Sequence, residues 1–491
     1  MLRRRGRLVA AAAGVALPLA FAPFHLWWLA PALLALLFAT WVDQAPREAA
    51  WRGFCFGFGA FGAGTYWLYI SIHIFGGAPL WLAVFLMLSL VCVMALYVAA
   101  SGWISARMER AAVFQWCVLW PVVWTLVEWI RGWLFSGFPW LSLGYGQIDG
   151  PLKNLAPVVG LHGVSLATAA LAGGLVAIAL GHRWERLVGL GALLVFGSAS
   201  LLLAGRSWTV PEGDEISVAL IQGSISQDRK WLPEQRGPTL DLYRDLSFGL
   251  AGVDVVVWPE VAVPAVAEQV QDYLTDIERQ ARARGMQLLL GIMTYDAERE
   301  QVRNSLISLG EQNGSYHKRH LVPFGEFFPV PGFIREWMRL MSLPYKNTSP
   351  GEREQPPLRA GELVLAPSIC YEDAFGAEQL DFLPAAQLLV NVSNDAWFGD
   401  SIAPHQHLQI ARMRALETGR FMLRATNTGI TAVISPAGEV RKASPQFRTH
   451  VLTDKVRSHK GATPYVRWGN YPVLIACAVL IAIGFRRRIR P

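Results

Sequence analysis

Apolar runs crowd the chain up to Ala204 and return after Tyr471, while the stretch between them has the texture of a soluble domain. No other feature constrains the fold as tightly. Backbone placed in lipid must satisfy its own hydrogen bonds, so such runs become helices or close into barrels. The runs cover residues 26–42, 54–74, 80–104, 113–130, 164–180 and 187–204, and a short one follows at 472–485. Another opens the chain behind Arg3, Arg4, Arg5 and Arg7. A basic start of this kind also fits a signal peptide, but further apolar segments follow it, so it reads as a first membrane helix. Several runs approach the ~20 residues needed to cross a bilayer and the shorter ones are marginal, which gives a polytopic α-helical membrane domain of about eight transmembrane helices.

Charge gives these helices a direction. Connections on one side hold Arg47 and Arg52, Arg107 and Arg110, Arg183 and Arg186, and finally Arg486, Arg487, Arg488 and Arg490. On the other side, 23–25 and 73–79 hold neither Lys nor Arg, and 131–160 holds only Arg131 and Lys153. The positive-inside rule then places the N-terminus in the cytoplasm and the residues after Trp208 outside. The formal charge of +7 lies largely in these short basic runs, so it speaks for membrane anchoring and not for nucleic acid. Glu128 interrupts an apolar helix near its outer end; such a carboxylate is a functional candidate, or it reaches water or pairs with Arg131.

From Glu212 the pattern changes. Residues 216–222, 253–258, 287–291, 305–309, 363–369, 388–392 and 430–434 read as strands, and 273–284 and 405–424 as helices, which points to a layered α/β domain. The alternation fails between 327 and 358, where prolines frame Phe333, Trp337, Met338, Leu340 and Met341. A loop this long is usually functional; it reads as an arm that touches lipid or as a packed insertion.

Three strand-like runs end on reactive groups. Residues 253–258 lead into Pro259-Glu260, Tyr316-His317 leads into Lys318 with Glu326 eight residues on, and 363–369 ends at Cys370-Tyr371-Glu372. Of the five cysteines, Cys370 alone lies in the soluble part, so that part has no internal disulfide. Each group has a plain alternative: a buried core thiol for Cys370, a helix start for Glu260, a surface charge for Lys318. Together they offer a nucleophile, a general base and a cation, which suffice for acyl transfer.

The blocks Trp258-Pro259-Glu260, His317–Glu326 and Cys370-Tyr371-Glu372 resemble, in order and spacing, the signatures of the nitrilase (carbon–nitrogen hydrolase) superfamily. With Asn394–Phe398 and membrane helices on both sides, the whole chain resembles one branch, the bacterial apolipoprotein N-acyltransferases. The resemblance implies an extracytoplasmic nitrilase-like αββα sandwich with Glu260, Lys318 and Cys370 as catalytic triad. It implies an acyl donor phospholipid, typically phosphatidylethanolamine, and a diacylated apolipoprotein as acceptor, in the bacterial inner membrane with the catalytic domain on the periplasmic side. Tyr371 would help hold the oxyanion through its backbone N–H. Glu326 and Glu372 would orient Lys318 or the amine, or form structural ion pairs. Trp231 resembles a position near the acyl site and is equally a common core anchor. His317, His320, His405 and His407 have no matching partners for a metal site, and the reading requires no cofactor. The expected domains are 1–208, 209–465 with the arm 327–358, and 466–491.

Two other functions compete with this one. A membrane-anchored nitrilase-type amidase would use the same triad on a small C–N substrate, but such a substrate needs neither the spans nor the arm. A transporter would leave the triad unexplained and lacks paired intramembrane charges.

Overall fold

The computed structural model describes residues 2–108, 111–323, 325–327 and 348–486, so Phe324 and most of the expected arm lie outside the described residues. It divides into two compact units, Met1–Trp208 with Phe398–Met413 and Thr463–Pro491, and Thr209–Trp397 with Arg414–Ala462.

The first unit is helical. Among the described residues four helices are long and apolar enough to cross a membrane, Leu80–Arg107, Ala112–Arg131, Pro151–Leu180 and Arg183–Leu203, and Leu29–Trp41 and Tyr471–Gly484 are shorter apolar helices. The run expected at 54–74 is displaced: its helix is Pro46–Gly64, followed by a separate turn at Ile70–Phe75. Pro46 fits the first helical turn because its missing N–H would be unpaired there anyway. Glu48 and Arg52 enter the helix because they neutralise each other at 3.0 Å and Arg7 bonds Glu48 at 2.7 Å. Ala112–Arg131 widens at Gln115–Leu119, one turn ahead of Pro121, which offers the helix no N–H.

Glu128 is buried and accepts the Leu143 N–H at 3.0 Å. One turn on, Arg131 donates to the Trp140 carbonyl at 2.7 Å and to Ser142 Oγ at 3.1 Å. The two side chains fold the segment after the helix back onto its end, which satisfies backbone groups that lipid would leave bare. The buried helix Ala403–Thr418 starts in this unit. There Gln406 accepts from the Trp67 and Trp140 indoles at 3.2 and 2.8 Å, and Arg412 meets Asp149 at 2.7 Å.

The second unit holds two sheets. In chain order the strands of the first are β1 (Thr209–Gln222), β2 (Val255–Val257), β3 (Val263–Val266), β4 (Gln287–Asp296), β5 (Gln301–Leu309) and β6 (Gly314–His317), closed by β13 (His450–Gly461). Their order is β13-β1-β2-β4-β5-β6, with β3 beside β4. The second sheet, β12-β11-β10-β9-β8-β7, contains β7 (Leu358–Ala360), β8 (Leu363–Ile369), β9 (Leu388–Ser393), β10 (Met422–Thr426), β11 (Ala432–Ile434) and β12 (Val440–Ala443). β1 touches β10 and β5 touches β8, so the sheets lie against each other. Helices Pro233–Phe248 and Gln271–Ala283 cover the first sheet, packing Leu240, Leu246, Leu274 and Ile277 on Val256, Leu288 and Leu290.

The helix expected at 405–424 ends earlier, at Thr418. Gly419 takes φ +64°, a conformation glycine adopts at little cost, and Met422–Thr426 continues as strand β10 instead.

Candidate active site

Glu260 follows β2, which runs parallel between β1 and β4 and is buried throughout. The chain turns sharply there, with Val261 at φ +46°. The turn presses on β4, where a Cβ on Gly291 would stand 2.4 Å from the Pro259 carbonyl and 2.7 Å from the Glu260 Cα. Glycine at 291 is what allows the carboxylate to be presented from this depth. The Glu260 side chain is buried and accepts from Asn304 Nδ2 at 2.8 Å.

Lys318 leaves β6, the edge strand paired with β5, and its backbone N–H donates to the Asn304 carbonyl at 2.8 Å. Its ammonium is 3.4 Å from Glu260 and 2.9 Å from both carboxylate oxygens of Glu326. Glu326 is fixed in turn by the Val322 N–H at 2.8 Å and by Asn304 at 3.3 Å. Burial works against the charged lysine, but Glu326, Glu260 and Cys370 outweigh it and raise its pKa, so Lys318 stays an ammonium.

Cys370 ends β8 at φ +55°, where a short helical turn begins. Non-glycine residues rarely sit in this region, and those that do concentrate at functional sites. Asn391 on the neighbouring β9 donates to the Cys370 carbonyl at 3.3 Å. Burial and the charge of Glu260 push the thiol well above its usual range, more than Lys318 and a hydrogen bond to Ser393 pull it down. The resting sulfur is therefore a protonated thiol, which only a base would turn into a nucleophile. Glu260 and Lys318 are the two charges that act on it most.

The other expected residues fall into distinct places. Glu372 is buried and accepts from Tyr316 Oη at 2.9 Å and from the N–H groups of Arg319, His320 and Ile369 at 2.6, 3.1 and 2.7 Å. It ties the segment carrying Lys318 to the strand carrying Cys370 through neutral donors, and it makes no ion pair among the described residues. Tyr371 is buried, its ring 4.9 Å from Phe375. Trp231 is 53% exposed, so it is not a core anchor.

The sequence reading missed three contributors. Asn304 links Glu260, Glu326 and the Lys318 backbone, and its signal was an amide within a run of strand formers, where asparagine is disfavoured. Arg424, buried on β10, pairs with Asp373 at 3.2 Å and Asp395 at 3.0 Å and bonds Asn391, which holds the Cys370 carbonyl. Assigning it to a helix had hidden a charge inside an apolar strand. Lys230 is the third, buried behind Glu260 with Nζ 3.2 Å from its carbonyl oxygen.

A half-buried thiol facing a carboxylate and an ammonium on converging strand ends suits acyl transfer through a covalent intermediate. Comparison with known proteins agrees. Residues 13–174 match the apolipoprotein N-acyltransferase N-terminal domain family, and residues 217–464 match the carbon–nitrogen hydrolase family. An apolipoprotein N-acyltransferase of Methylococcus capsulatus is 43% identical over 99% of this chain and 97% of its own length. That of Azotobacter vinelandii is also 43% identical, over 98% of this chain and 95% of its own. The chain belongs to the apolipoprotein N-acyltransferase family. It is an acyltransferase whose catalytic part has the carbon–nitrogen hydrolase fold. An amidase of the nitrilase superfamily from Nesterenkonia AN1 aligns with 54% of this chain and 98% of its own, at 21% identity and a TM-score of 0.40.

Proposed function

We propose that this enzyme moves the sn-1 acyl chain of a phospholipid, typically phosphatidylethanolamine, to the α-amino group of the S-diacylglyceryl-cysteine at an apolipoprotein N-terminus. Glu260 accepts the thiol proton as Cys370 Sγ attacks the ester carbonyl. Lys318 and the Tyr371 backbone N–H hold the oxyanion, each such donor being worth roughly 2.7–4 kcal/mol. The ester C–O bond then breaks, Glu260 returns the proton to the glyceryl oxygen, and the lysophospholipid leaves a thioester behind. In the second half the neutral amine attacks the thioester and Glu260 takes its proton. The C–S bond breaks, and the proton passes back to the Cys370 sulfur, a ping-pong cycle.

The buried cluster carries this reading: Lys318 Nζ stands 3.4 Å from Glu260 and 2.9 Å from Glu326, and the charges of Glu260 and Lys318 both act on Cys370. Glu326 orients Lys318, and Glu372 keeps the two loops in register. The exposed Trp231 would meet the acyl chain. About eight helices in the three-part arrangement 1–208, 209–465 and 466–491 would hold the catalytic domain on the periplasmic face of the inner membrane, with the arm 327–358 against lipid.

The purified enzyme incubated with acyl-labelled phosphatidylethanolamine should form a hydroxylamine-sensitive adduct, and the Cys370→Ala variant should form none. No adduct on the wild type, or turnover of a small amide without lipid, would sink the proposal.

A further inference from the structure

Lys230 is a buried cation that the catalytic cycle does not use. It lies after β1, beside the exposed Trp231, with its side chain turned inward. The one hydrogen bond of that side chain among the described residues runs from Nζ to the backbone carbonyl of Glu260, 3.2 Å away. The stretch it holds is the strained one, since Val261 sits at φ +46° and Gly291 leaves the turn no room to shift toward β4. A charged donor on a single carbonyl makes a stronger hydrogen bond than a neutral one. An isolated buried ammonium is also expensive, so its presence here calls for a compensating role.

From this geometry we infer that Lys230 is a positioning residue, clamping the Pro259–Val261 turn so that the Glu260 carboxylate is aimed at Cys370. The inference rests on Glu260 acting as the base.

Burial pushes the Lys230 pKa down to about 8, against the attraction of Glu260. Between that value and the ordinary lysine range the unfolded chain binds more protons than the folded one, so the cost of burying the charge is present at pH 7 and fades as pH rises. Lys230→Met should therefore match or exceed the wild-type melting temperature at pH 7, with any advantage shrinking toward pH 10.

The test is the rate at which iodoacetamide alkylates Cys370 in the full-length detergent-solubilised protein at pH 8, followed by peptide mass spectrometry. It needs no lipid, so it stands apart from the choice of acyl donor. Lys230→Met should slow alkylation roughly 10–100-fold, as small misplacements of a catalytic group do. In a Glu260→Gln background the same change should add nothing, because the clamp would have no base left to aim. Lys230→Arg, which keeps the charge and the donor, should recover at least part of the rate and serves if the methionine variant does not fold. A wild-type rate in Lys230→Met, or an equal slowing in both backgrounds, overturns the inference. Normal alkylation in Glu260→Gln alone would instead remove Glu260 as the base.

Discussion

Two buried clusters of like composition bear on Cys370. One sets Glu260, Glu326 and Asn304 around Lys318; the other sets Asp373, Asp395 and Asn391 around Arg424. Each has two carboxylates, one amide and one cation. They differ in the cation and in access to solvent. The side chains of Arg424, Asp373 and Asp395 are wholly enclosed, and the planar guanidinium locks its partners in one geometry. In the other cluster Glu260 and Glu326 keep 9% and 19% of their side-chain surface exposed around a compact ammonium on a flexible stem. The closed cluster shapes the strand ends under Cys370, and the open one is accessible from outside. Composition alone does not separate support from chemistry.

The largest expected effect on stability falls on the closed cluster. Arg424→Leu strands two buried carboxylates and should lower stability by about 3–5 kcal/mol, read from denaturant unfolding of the solubilised protein. If the loss is small, the cluster is not the support described here. In the open cluster, Lys318→Met should cut formation of the acyl adduct by about 10²–10³-fold through loss of an oxyanion donor. An effect on substrate affinity alone would recast Lys318 as a binding group. Glu260→Gln should slow the same step by about 10²–10⁴-fold, the usual contribution of a general base. Glu372→Gln puts an amide N–H₂ against N–H donors and should cost about 1–3 kcal/mol of stability. Its acylation rate should fall less than that of Lys318→Met, and the reverse order would move Glu372 into the open cluster.

Much of this site was legible because each reactive residue ends an apolar run. Val255–Val257 before Glu260 and Leu363–Ile369 before Cys370 announce buried strands, and a charged or nucleophilic side chain just beyond one has to face a cleft. Other strands were hidden by their surfaces. β13 pairs with β1 over most of its length, yet its exposed face carries Lys455 and Arg457 between the buried Asp454, Val456 and Ser458, so it lacks an apolar run. β10 was hidden because the helical pattern of 403–418 runs smoothly into it, and only the turn at Gly419 separates them. Arg424 was misplaced along with it. In the helical unit, Glu48 and Arg52 read as a connection because isolated charges do not enter apolar helices, and only their pairing with each other and with Arg7 takes them in.

The sequence by itself determined the division into apolar and soluble parts and the chemical identity of the groups at the strand exits, since both depend on neighbours along the chain. Only the tertiary structure decided which charges belong together. Glu260 finds Asn304 and Lys318 through strand order and register, and Glu372 finds Tyr316 and Arg319 because the second sheet packs against the first. A carboxylate's role follows from the cation or donor it meets, and that meeting is a property of the sheets.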